Sequence, residues 1–258
     1  EVTNFYGRGG TDILEIDSNK MTRRLAYEQD INDATLAYAS YTRGFKPGGS
    51  NLTFGREDVV SPIVVLPTFE EETIDAYEVG LKTDLDGGRI RINTAAFMYA
   101  YDNLQYQATD PEVFQGGVGN IPKSEIYGAE LEFGAFLTDS LLFDARLAWL
   151  KTEITSSHLA LDNVQSEAAT NALLAQGVSL FSEEVEIARA AEIEDIKGNE
   201  LPKTPSLTGN IALTHTASLN GFGELKTSLS LTYRGDFKHR VFNNDVTDQV
   251  GSYTTIDM

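Results

Sequence analysis

Residues 120–154, NIPKSEIYGAELEFGAFLTDSLLFDARLAWLKTEI, decide the fold. In the first half Tyr127, Ala129, Leu131, Phe133, Ala135 and Leu137 occupy every second position. Ser124, Gly128, Glu130, Glu132 and Gly134 fill the alternate ones. The second half sets Leu141, Phe143, Ala145, Leu147 and Trp149 against Asp144, Arg146 and Thr152. A period of two marks a strand with one apolar and one polar face. Leu137-Thr138-Asp139-Ser140 is a tight turn between the halves. The stretch is therefore an antiparallel hairpin, and its arms are well beyond the roughly 5–6 residues of an ordinary globular strand.

Working outward, strands are predicted at 22–29, 34–45, 73–84, 88–103, 123–137, 140–155, 204–218 and 224–237. A ninth begins at residue 251 and is cut off at Met258. Tyr77, Val79 and Leu81 oppose Glu78 and Lys82; Leu207, Ile211 and Leu213 oppose Ser206, Thr208, Asn210 and Thr214. Leu225, Leu229, Leu231 and Tyr233 oppose Lys226, Ser228, Ser230, Thr232 and Arg234. The faces of the second and fourth strands cannot be assigned from the sequence.

The connections alternate. Asp30-Ile31-Asn32-Asp33, residues 84–88, residues 137–140 and residues 218–223 are short and rich in Asp, Asn and Gly. Between them come excursions starting near Lys46, Leu104 and Ser156, of about 27, 20 and 48 residues. In an up-and-down sheet this places every short turn at one end and every long loop at the other. Outer-membrane barrels have that asymmetry. Strands of this length can cross a bilayer, which takes about 9–11 tilted residues. The mixed-sign set Glu78, Lys82, Glu130, Glu132, Asp144, Arg146, Lys226 and Arg234 would be costly in a dry core and is tolerable in a wet lumen.

Composition narrows the function. The chain has 258 residues, no cysteine and a net charge of −19. Cysteine-based disulfide, metal and redox sites are excluded. The negative charge argues against nucleic-acid partners. His158, His215 and His239 show no ligand spacing, and no Gly-x-Ser-x-Gly elbow occurs. Gly116-Gly117-Val118-Gly119 lacks the setting of a phosphate loop and reads as a flexible loop. Glu130 and Glu132 read as lumen lining and not as catalytic carboxylates. No catalytic residue, metal site or cofactor is expected.

In the longest connection, Leu174, Val178, Phe181, Val185 and Ala188 follow helical spacing, with Glu183, Glu184 and Glu186 on other positions. One amphipathic, acidic helix over the loop end is expected. A contact to substrate or cation is the sharper alternative.

The stretch 36–51, LAYASYTRGFKPGGSN, ends at Pro47-Gly48-Gly49, where a strand leaves its sheet. Arg43 and Lys46 beside it are expected near lipopolysaccharide head groups. Together with YEVGLKTDLDGGRIRINTAAFMYAYDNLQYQ at 77–107, the hairpin at 120–154, LPKTPSLTGNIALTHT at 201–216 and LSLTYRGDFKHR at 229–240, it resembles the barrel of TonB-dependent outer-membrane receptors. The resemblance runs from about Arg23 onward, apart from the long loops. It implies an all-β, antiparallel up-and-down transmembrane β-barrel of roughly 22 strands with a plugged lumen. Residues 1–258 would supply about eight or nine of those strands, without the plug and without the C-terminal strands.

The implied function is uptake of a scarce nutrient, with a ferric siderophore or similar iron complex as the leading class. TonB would act through the plug, in a Gram-negative outer membrane of lipid and lipopolysaccharide. The alternative is a soluble β-sandwich or adhesin-like module whose long loops bind carbohydrate or protein. A complete eight-stranded barrel is a third arrangement that the strand count allows. The ligand-binding residues are unknown. Tyr99, Tyr101, Tyr106 and Phe114 could touch a ligand, but an aromatic girdle accounts for the tyrosines as well or better.

Overall fold

In a computed structural model of the chain, residues 2–5, 11–14, 19–51, 68–109 and 116–258 are described. The strands are β1 (Val2–Phe5), β2 (Thr11–Leu14), β3 (Arg23–Asn32), β4 (Thr35–Lys46), β5 (Gly49–Ser50), β6 (Thr68–Phe69), β7 (Glu72–Leu85), β8 (Ile90–Thr109) and β9 (Gly116–Thr138). They continue with β10 (Leu141–Ile154), β11 (Leu159–Leu161), β12 (Ile193–Asp195), β13 (Leu207–Ser218), β14 (Glu224–Arg234), β15 (Phe237–Lys238), β16 (Gln249–Val250) and β17 (Tyr253–Asp257). Two helices, α1 (Asn163–Ala175) and α2 (Glu183–Ala190), lie between β11 and β12.

Nine strands form one antiparallel sheet in the order β17-β14-β13-β10-β9-β8-β7-β4-β3. Each main strand pairs with its neighbour in sequence, as an up-and-down meander requires. At one end of the sheet the connections are 33–34, 86–89, 139–140 and 219–223; at the other they are 47–71, 110–115, 155–206 and 235–252, of which all but the second are long. At the second short turn Gly87 and Gly88 have φ of +63° and +89°, values that glycine adopts without a Cβ clash.

The register assigns every face. One row across the sheet is Ala37, Leu81, Thr94, Leu131, Leu147, Gly209 and Tyr233. The adjacent row, on the opposite face, is Leu36, Lys82, Asn93, Glu132, Arg146, Asn210 and Thr232. The mixed-charge set expected from the sequence thus shares one face. Val79 is 55% exposed, Ile211 44% and Leu231 37%. Among the described residues no second sheet covers this apolar face, as a soluble sandwich would need. The nine-stranded sheet is open between β3 and β17, so it is not a closed eight-stranded barrel.

On β9 the apolar positions run from Tyr127 to Leu137. Ten steps of about 3.3 Å, tilted by about 40°, span roughly 25 Å, the height of an outer-membrane barrel's apolar band. Tyr41, Tyr77 and Tyr127 align in one row toward the long-loop end, and Trp149 falls one row nearer the middle. Tyr99 and Tyr101 face the polar side, so they do not belong to this girdle. Arg43 and Lys46 fall on opposite faces. Arg43 is on the apolar face and pairs with Asp75 at 3.6 Å.

Three other readings are corrected. Gly116, Gly117, Val118 and Gly119 are not loop but strand, paired with Thr109, Ala108, Gln107 and Tyr106. Glycine weakens a strand but carries the same backbone donor and acceptor as other residues, so it pairs when a partner strand supplies the bonds, and composition alone could not reveal that partner. The connection starting near Leu104 is correspondingly shorter, because the β8–β9 hairpin continues past it. The expected single helix is two: Gly177 has φ of +85° and ends the first, and Ser182 caps the second.

Candidate functional site

The polar face and the long-loop end are the two places where side chains can meet a ligand. On the polar face Tyr38 Oη donates to Glu78 Oε1 at 2.7 Å, and Lys82 Nζ sits 5.5 Å from the Tyr38 ring centroid. Phe97 stacks on Tyr99 at 4.8 Å. Asn93 Nδ2 donates to Glu132 Oε2 at 3.1 Å, and Arg146 lies 3.9 Å from the same carboxylate. A recess of about 580 Å³ opens here, lined by Glu130, Glu132, Arg146, Asn210, Thr232 and Arg234. The arrangement is a polar, charge-balanced wall. It holds no nucleophile–base pair, and no cluster of His, Asp or Glu able to hold a metal occurs among the described residues.

At the loop end the β8–β9 hairpin continues past the bilayer-height band. Its ladder skips Asn103 and Pro122, where Pro has no donor and Asn103 takes φ of +56°. Asn103 Nδ2 then donates to Glu70 at 2.7 Å, while Asn51 and Val118 exchange two bonds at 2.8 Å. The connection after β4 is thereby tied to this hairpin.

Beyond it stands a small core of Ile121, Ile154, Ala160, Ile196, Leu201 and Val241, flanked by Leu104, Tyr106, Ile126 and Phe242. Tyr106, a candidate ligand contact by sequence, is a structural residue here. Its hydroxyl lies 2.9 Å from His158 Nε2, and the rings meet edge to face at 5.4 Å. Phe114 lies outside the described residues. Burial pushes the His158 imidazole below its ordinary value, against the opposing pull of Asp195. The Asp195 carboxyl is held low by bonds from Ser157 Oγ at 2.7 Å, His158 N at 2.9 Å and Lys197 N at 3.1 Å.

The acidity of the loop has a local cause. Glu183, Glu184 and Glu186 occupy the first turn of α2, where the helix dipole favours negative charge. Asp162 caps α1 by accepting from the amides of Val164 and Gln165. It also accepts two bonds from Arg240, Nη1 at 2.6 Å and Nη2 at 3.2 Å. Arg240 Nε reaches Asp248 Oδ1 at 2.6 Å. Arg240 and Asp162 are 78 positions apart, so nothing in the linear sequence could have announced this pair. Only the cap was legible, as Asp162 followed three residues later by Gln165. Glu194 stands near the same carboxylates; partial burial, then Asp162 and Asp248, raise its pKa, while Arg240 opposes them.

The comparisons agree with this geometry. The family model for the TonB dependent receptor-like β-barrel matches residues 4–258. The ferric yersiniabactin uptake receptor FyuA from Yersinia pestis is similar over 91% of this chain and 28% of its own, at 18% identity and a TM-score of 0.60. The ferric preacinetobactin receptor BauA from Acinetobacter baumannii is similar over 96% and 30%, at 14% identity and a TM-score of 0.59. The copper transporter OprC is similar over 90% and 30%, at 14% identity and a TM-score of 0.57. The chain thus spans about three tenths of the length of the solved structures it matches. These are receptors and transporters, not enzymes. With its family model matched along almost its whole length, the chain belongs to the TonB-dependent receptor-like β-barrel family.

Proposed function

We propose that this chain is part of the wall and the external loops of an outer-membrane receptor that imports a scarce nutrient. A ferric siderophore or similar iron complex is the leading cargo. The apolar face meets lipid, the polar face lines the lumen, and the long loops stand outside the cell. The split of the sheet into these two faces carries the reading. The similar structures, two receptors for ferric compounds and one copper transporter, support the cargo class.

The nine strands would be completed by others into a closed, plugged barrel, and TonB would drive uptake through the plug. Arg43, one row beyond Tyr41 and Tyr77, fits an approach to lipopolysaccharide head groups, with Asp75 offsetting part of its charge. Removing the charge at Arg43 should weaken lipopolysaccharide binding in a salt-dependent way. Unchanged binding would remove that contact from the reading.

The test of the whole is growth. A strain lacking the receptor that carries this chain should fail to grow on one ferric chelate as sole iron source and recover on complementation. Normal growth on every ferric chelate, with a defect on another nutrient, would overturn the iron assignment. Fractionation outside the outer membrane would overturn the receptor itself.

A further inference from the structure

The connection after β10 and the connection after β14 meet at a single guanidinium, that of Arg240, whose side chain is 17% exposed. Arg240, in the second, forks onto Asp162 at the start of α1 in the first, and onto Asp248 in its own loop. The side chain of Asp162 is 4% exposed and that of Asp248 0%. Thr247 Oγ1 accepts from Arg240 Nη2 at 3.1 Å and donates to Asp248 Oδ1 at 3.1 Å.

A second set of bonds joins the same two connections elsewhere. Asn199 Nδ2 donates to the Val241 and Phe242 carbonyls at 2.9 and 3.1 Å. Glu200 N donates to Asn243 Oδ1 at 2.7 Å, and Asn243 Nδ2 returns a bond to Glu200 O at 3.0 Å. Val241 completes the apolar core with Ile154, Ile196 and Leu201.

We infer that the connections 155–206 and 235–252 are one rigid lid, pinned at Arg240, and that they move together and not separately. The physical reason is the cost of parting them. Separation strands two carboxylates that the fold has already taken from water, and it opens a shared apolar core. One arginine serves both acids because its planar fork presents donors in two directions, which an ammonium group cannot reproduce. The inference concerns how the loops are joined and holds whatever the receptor carries.

The chain contains no cysteine, so introduced cysteines are the sole labelling sites within it, any cysteine elsewhere in the receptor being replaced by serine beforehand. Nitroxides at Glu167→Cys on α1 and Val246→Cys on the second loop, both exposed positions, report the distance between the two connections. The receptor that carries this chain is measured in its own membrane by pulsed electron paramagnetic resonance. The expected result is one narrow distance distribution. It should broaden toward longer distances in Arg240→Ala and also in Arg240→Lys. A broad distribution in the unsubstituted receptor, or a narrow one retained in Arg240→Ala, overturns the inference.

Where Arg240→Ala fails to reach the membrane, Asp248→Asn keeps the side-chain size and decides the matter by amide exchange. Protection over 163–175 should fall on the order of tenfold along with that of 235–252. Loss confined to 235–252 overturns the lid.

Discussion

The wall and the lid are built from the same chain for two different surroundings. In the wall, large apolar side chains point outward and remain exposed: Leu25, Val79, Leu81, Leu147, Ile211 and Leu229 touch no second protein layer. In the lid, apolar side chains point inward. Of the nine buried apolar residues among the described ones, all but Ala135 belong to the loop-end structure. In the proposed receptor the wall depends on lipid to cover it, whereas the lid supplies its own core. Exposure of leucine therefore carries opposite meanings a few residues apart.

The largest effect that separates the two regions is a cavity. Ile196 is 0% exposed, and Ile196→Ala should cost about 2–5 kcal/mol of lid stability, because little can collapse into the gap. Leu131→Ala should cost less, since acyl chains fill the space and only the transfer contribution is lost. Amide exchange of 155–206 checks the first, and denaturant unfolding in bilayers checks the second. Equal costs would mean that the apolar face is covered by protein.

Charge reverses the ranking. Leu131 is near the middle of the apolar band, so Leu131→Arg should cost about 2–4 kcal/mol in bilayer unfolding. Ile187 on α2 is 64% exposed to water, and Ile187→Arg should stay within about 0.5 kcal/mol. Glu130→Gln, across the sheet on the polar face, should likewise be small. A tolerated arginine at 131 would break the comparison at its base.

Within β9 the wall is crowded at one glycine, and the strand's loop-end extension is open at another; substitutions expose the difference. A Cβ added at Gly128 would meet the Phe97 ring at 2.3 Å and Leu150 Cδ2 at 2.9 Å. Gly128→Ala should therefore cost about 1–3 kcal/mol. At Gly116 a Cβ meets nothing within 4 Å. Gly116→Ala should be neutral or stabilise by up to about 1 kcal/mol, measured by the same unfolding assay.

The wall was legible in the sequence because each strand states its own faces. Leu131 and Glu132 declare the rule of alternation, and the turn residues fix where it restarts. Neighbours in sequence are neighbours in the sheet, so local pattern and global pairing coincide. The second and fourth strands were harder because Ala, Tyr and Thr fit either face, and only register sorts Tyr41 from Tyr99. The lid was not legible for the complementary reason. Its contacts join Asp162 to Arg240 and Glu200 to Asn243, and no local period encodes such pairs. Even its helices were misjudged as one, because Val185 is buried while Phe181, which shares its spacing, stands 90% exposed in the break between them.

The smallest predicted effect is also the most local, and it separates lid from wall by pH alone. His158 is partly buried against Tyr106, which lies on β8, and faces Asp195 on β12, which opposes the burial. Its folded pKa is below the unfolded value of about 6.5. The neutral form is therefore favoured in the fold, and its stabilisation is present above the unfolded pKa and lost as pH falls through the folded one. Glu194 works in the opposite sense. Its raised pKa means that protonation favours the fold, so acidification through that value strengthens its surroundings. Amide exchange between pH 7 and 4.5 should thus show the segment around His158 loosening first, with the Arg240 pin holding, while the wall is unchanged. His158→Gln, which keeps a hydrogen-bonding side chain without a titration in this range, should flatten the loosening. If instead the wall and the lid loosen together at one pH, a shared transition governs both and the lid is not an independently stabilised unit.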